Sequence, residues 1–128
     1  MPKRALNIVS TAYRATLEEQ DDPVLWLLHA MRGAGAELDV VLQDNAVNYA
    51  ARGQDASGLS VGGRRQTHPP RLDEDVSRLA GTGVQVFVVE DDLAERGLDR
   101  SDLVDGVTTI ARKEIAPLCA RYDYVWRW

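Results

Sequence analysis

The segment VQVFVVEDDLAERGL, Val84 to Leu98, decides how the chain is read. Five of its first six residues are valine or phenylalanine, the length and composition of a buried strand. Three carboxylates follow, Glu90, Asp91 and Asp92, and then a short helical phrase closed by Gly97. A strand that passes straight into a helix belongs to a parallel sheet, and the carboxyl end of such a strand is where open α/β sheets place their ligands. The acids are therefore either a functional cluster or the opening turn of a helix, where negative charge meets the free N–H groups and the helix dipole. Consecutive residues project in different directions, so three acids in a row converge poorly on one metal ion. No metal is expected here.

Outward from this segment the same alternation repeats. Arg4 to Val9 (RALNIV) reads as a first strand, followed by the polar connection TAYRATLEEQDD. Asp22-Pro23 marks a helix start, with Asp22 as cap and Pro23 at the first helical position. Val24, Leu27, Leu28 and Met31 fall on one face of that helix, and Gly33 and Gly35 end it. Glu37 to Gln43 is a second strand. A short helix capped by Asp44 or Asn45 runs towards Gly53. Gln54 to Pro70 has no periodicity and reads as a long loop. Leu72, Val76 and Leu79 mark an amphipathic helix ended by Gly81 and Gly83. After the opening segment come a helical turn (DRSDLVDG), the strand VTTIA and a last helix (RKEIAPLCARY) broken or restarted at Pro117. YDYVWRW closes the chain as a strand. This order predicts one domain over residues 1–128, an α/β, doubly wound three-layer sandwich with a mostly parallel sheet of about five strands.

Composition narrows the function classes. Fifteen basic against 20 acidic residues leave a formal charge of -5, which argues against a nucleic-acid protein. No apolar run approaches the roughly 20 residues of a membrane span, and the N-terminus is too short in apolar residues for a signal peptide. A cytoplasmic protein is expected. The single cysteine, Cys119, allows no internal disulfide and no cysteine-based zinc site, and His29 and His68 stand far apart. Gly62, Gly63, Arg64 and Arg65 could hold an anion or serve a subunit-bridging loop, but the nucleotide-binding fingerprint is absent and no cofactor is expected. Cys119 lies near a predicted helix C-terminus, where a thiolate is disfavoured. Tyr122, Tyr124, Trp126 and Trp128 alternate with Asp123, Val125 and Arg127, so the aromatics read either as core or as subunit contacts.

Several phrases carry a resemblance. GAELDVVLQDNAVNYA, GTGVQVFVVEDDLAERGL followed by DLVDGV, and YDYVWRW are similar to the corresponding phrases of the DsrE/DsrF-like family of small sulfur-relay proteins, over most of the chain. The resemblance implies the doubly wound fold and assembly into trimers, hexamers or mixed rings. In that family a persulfide-carrying cysteine ends the third strand. Aligned on Arg96-Gly97, its place here is Val89, and a second cysteine of some members falls on Asp92. The expectation is a non-catalytic member, homo-oligomeric or bound to a sulfur-relay partner. Its ligand site would sit at the sheet's carboxyl end, at Ser10, Thr11, Asp44, Asn45, Val89, Glu90 and Asp91, with Arg64 and Arg65 facing an acidic partner. A sulfurtransferase using Cys119 is the alternative.

Overall fold

The structure, a computed structural model, describes residues 2–13, 22–54, 58–67 and 69–128. The middle of the connection after the first strand, part of the loop after Gly53, and His68 lie outside the described residues. Five parallel strands form the sheet: β1 (Arg4–Val9), β2 (Glu37–Leu42), β5 (Val86–Val89), β6 (Val107–Ile110) and β7 (Tyr124–Arg127), in the order β6-β5-β2-β1-β7. The expected α/β architecture is thus the observed one. The chain winds outward from β1 to β6 and then returns to place β7 on the far side of β1. All four apolar residues of β5 are buried, as a strand covered on both faces requires.

Alternate residues of each strand feed two separate cores. On one face Val9, Val40, Leu42, Val86 and Val88 pack against Val24, Leu25 and Leu28 of α1 (Pro23–Gly33) and Leu72, Val76 and Leu79 of α2 (Leu72–Gly81). Leu93 of α3 (Glu90–Glu95) joins the same cluster. On the other face Leu6, Ile8, Val41, Phe87, Val89 and Ile110 meet, among the described residues, one short helix, α4 (Ile115–Cys119), which buries Leu118 and packs Ile115 and Cys119 against them. The first layer is therefore thick and the second thin.

Local chemistry places the elements. Asp22 Oδ1 accepts the N–H groups of Val24 and Leu25 at 2.9 and 3.1 Å, and Pro23 occupies the first helical position. The buried stripe of α1 is Val24, Leu25 and Leu28. Leu25 replaces the expected Leu27 because the helix lies rotated towards α2, where His29 Nε2 hydrogen-bonds Asp75 O at 3.0 Å. After β2 the chain forms a 3₁₀ helix, Asp44–Ala50, with Gln43 at the cap position and no cap from Asp44 or Asn45. The cap comes instead from α3, whose Asp92 Oδ2 accepts the Asp44 N–H at 2.7 Å. Pro117 sits in the first turn of α4, directly after a 3₁₀ turn at Arg112–Glu114, so the last helix restarts there without losing a hydrogen bond.

The long loop contains structure that periodicity does not reveal. Two two-residue strands, β3 (Ser60–Val61) and β4 (Arg64–Arg65), pair antiparallel around Gly62-Gly63. Both glycines have positive φ, 57° and 78°, the geometry of a type I′ hairpin turn.

At the amino end of the sheet Asp39 is a buried junction. It accepts hydrogen bonds from Tyr122 Oη (2.6 Å), Arg4 Nη2 (2.9 Å) and the Gln85 N–H (2.8 Å). The Arg4 guanidinium also lies 4.8 Å from the Tyr122 ring centre. This pulls Tyr122 into the thin layer, away from Trp126 and Trp128. The expected single aromatic face thus begins only at Tyr124, where the strand itself begins.

Candidate functional site

Ser10 and Thr11 follow β1, Asp44 and Asn45 follow β2, and Glu90 and Asp91 follow Val89 at the end of β5; the three strands are parallel neighbours, so these residues lie along the carboxyl end of the sheet. Ser10 Oγ accepts the Gln43 Nε2–H at 2.8 Å, and the Ser10 and Thr11 N–H groups donate to the Trp128 carbonyl at 2.9 and 3.5 Å. Asp44 takes a φ of 51°, a left-handed conformation that aspartate tolerates better than most residues. Val89 is fully buried and is the last residue before α3. Its side chain belongs to the thin-layer core and presents only methyl groups.

Each carboxylate of the opening cluster has its own protein partner. Glu90 is ion-paired to Arg100, and that bond holds its carboxyl below the ordinary value. Asp91 Oδ1 accepts the Arg112 N–H at 2.8 Å, which likewise lowers it. Asp92 is buried and divides its oxygens between the Asp44 N–H and the Arg112 guanidinium. Arg112 also reaches Glu95 Oε1 at 3.3 Å, and the pairing with Asp92 raises the guanidinium further. Arg96 Nη2 donates to Asn45 Oδ1 at 2.8 Å. The acids thus stitch α3 to the 3₁₀ helix on one side and to the turn after β6 on the other. Among the described residues, no three His, Cys, Asp or Glu side chains are grouped to hold a metal ion.

The remaining candidates lie elsewhere. Arg64 and Arg65 are exposed on the hairpin, and no hydrogen bond or ion pair ties them to the strand-end residues among those described. Cys119, half-buried, ends α4 beside the thin-layer core. The partners Arg96, Arg100 and Arg112 were not legible as a set, because Arg96 reaches Asn45 across 51 residues, Arg100 reaches Glu90 across 10 and Arg112 reaches Asp92 across 20. A second unforeseen group is Tyr49, buried, whose hydroxyl donates to Asp22 Oδ2 at 2.5 Å and in turn accepts the Tyr13 N–H. Burial first, and the bond to Asp22 second, push the Tyr49 hydroxyl well above its ordinary value. The Tyr13 ring stands edge-on to it at 5.3 Å.

No helix among the described residues is long and apolar enough to cross a membrane. No family model matches the sequence, and no curated protein does. Solved structures do. The chain is similar to the E. coli protein ychN, with a TM-score of 0.74 at 22% identity over 100% of both chains. It is also similar to MTH1491 of Methanobacterium thermoautotrophicum, a protein of unknown function, with a TM-score of 0.65 at 20% identity over 98% of this chain and 99% of that one. This chain, with its five parallel strands flanked by helices, shares their α/β fold.

Proposed function

We propose that this protein is a non-catalytic DsrE/DsrF-like subunit that works by assembly, with further copies of itself in a trimer or hexamer or with a partner of the sulfur-relay kind. The observation that carries the reading is the edge strand β7. Among the described residues its outer backbone has no strand beside it, and Tyr124, Val125 and Trp126 are 49%, 40% and 42% exposed. Three large apolar side chains on an open sheet edge favour association, and aromatic residues are enriched in subunit contacts. The buried Val89 supports the same reading, since the position that would carry sulfur has no thiol and no access to solvent. The carboxyl-end site, from Ser10 to Asp91, is then a binding surface for a partner or a small molecule.

Light scattering on the purified protein tests this. A mass of several chains is expected, falling at least twofold in Trp126→Ser. Cys119 should react with a thiol reagent much more slowly in the native than in the denatured protein. A single-chain mass at every concentration, with rapid native labelling of Cys119, would sink the proposal.

A further inference from the structure

The β3–β4 hairpin is the one described element whose packing the fold does not explain. Two two-residue strands cannot hold their shape in water by themselves; here the strands bond to each other, and Gln66 donates its N–H to the Leu59 carbonyl at 2.7 Å while its side chain accepts the Leu59 N–H. Val61 and Arg64 are paired across the strands, and Leu59 lies two residues before Val61, so all three share one face. Its two apolar side chains are open, Leu59 54% and Val61 72% exposed, with the Arg64 guanidinium beside them. Residues 58–67 carry two arginines and no acid in a chain of net charge -5. Arg64 and Arg65 form no ion pair among the described residues.

A surface of the opposite character lies on the same chain. An open groove of about 530 Å³ runs along α3 and the turn after it, with Leu93, Ala94 and Leu98 as its floor. Its rim carries Glu90 and Asp99. Glu90 is already paired with Arg100, whereas Asp99 caps the turn after α3, accepting the N–H and hydroxyl of Ser101 and the Asp102 N–H, and has no ion pair among the described residues. Asp105, exposed, stands three residues beyond Asp102 in the same acidic stretch.

From this complementarity we infer that the hairpin is an assembly arm: Leu59 and Val61 of one copy seat in the Leu93–Ala94–Leu98 groove of a second copy, with Arg64 of the same face against its Asp99 and Arg65 adding to the positive charge of the arm. The inference rests on the assembly reading above and names a contact for it distinct from β7. A basic arm on an acidic protein finds its favoured electrostatic target on another copy of that protein. The two surfaces differ, so the contact is head-to-tail and closes into a ring or continues as a filament. The glycine turn sets the register that keeps Leu59 and Val61 on one face.

The test combines native mass with cross-linking. Val61→Asp and the double variant Arg64→Glu/Arg65→Glu alter only exposed side chains, so their melting temperatures should match the wild type while their mass falls towards that of one chain. In a Cys119→Ser background, Val61→Cys with Ala94→Cys should form a disulfide between chains on mild oxidation. If the wild type is an oligomer, and the hairpin variants keep its mass and the cysteine pair does not cross-link, the arm is wrong and the assembly reading survives. If the wild type is a single chain throughout, both fall.

Discussion

Asp22 shows how much one residue settles. Its two oxygens do different work: one caps α1, the other accepts the Tyr49 hydroxyl, and the whole side chain is buried. The cap is legible in the sequence because Asp-Pro has a local meaning. The tyrosine is not, because it lies 27 residues away and only the fold brings it there. Asp22→Ala removes the cap and leaves a buried hydroxyl unpaired, so a loss of about 2–4 kcal/mol in urea unfolding is expected. Asp22→Asn keeps the cap and should cost clearly less. Val89 stands at the other extreme. Its place at the end of a strand is readable from pattern alone, and its burial adds that the place is closed.

At the scale of elements, α3 answers the question its sequence raises. Glu90, Asp91 and Asp92 begin a helix, but the dipole is only part of the reason; each is also tied to a neighbouring element. Glu90 and Asp91 are held below their ordinary values of 4.5 and 3.8. The unfolded chain therefore takes up these protons first on acidification. The stability they contribute is complete above about pH 4.5 and is lost as the pH falls through their lowered folded values. The melting temperature should drop as the pH falls below about 4.5, and drop less steeply in Arg100→Ala, which lacks the partner that lowers Glu90. Both charges are exposed, so salt should weaken the effect. The β3–β4 hairpin escaped pattern reading for a different reason: two-residue strands are too short for alternation to register. α1 buries Leu25 where Leu27 was expected, since rotation about a helix axis is set by what it packs against.

For the whole molecule the decisive feature is the inequality of the two layers. α1, α2 and α3 cover one face, whereas α4 alone contributes Leu118 to the other. A leucine in the thick layer is surrounded on all sides; one in the thin layer leaves a gap that neighbours and solvent can fill. Leu28→Ala should therefore cost about 3–5 kcal/mol, and Leu118→Ala about 2–3 kcal/mol, in equilibrium unfolding. An equal cost would contradict this account of the layers. The thin face, the open β7 edge and the exposed hairpin are all surfaces that one chain leaves unfinished, which is why the functional reading turns on assembly.

The sequence by itself determined the alternation of strands and helices, the parallel α/β class, the cap at Asp22, the restart at Pro117 and the inert residue at position 89. These follow from local patterns of period two and 3.6, from turn chemistry, and from the identity of one residue in a recognisable phrase. Only the tertiary structure decided which arginine meets which acid, that Asp92 caps the 3₁₀ helix and that Asp39 draws Tyr122 into the thin layer. It also decided that β7 lies at an edge with its aromatics in solvent. Those facts depend on strand order and on contacts between residues far apart in the chain, which hydrophobic periodicity does not encode.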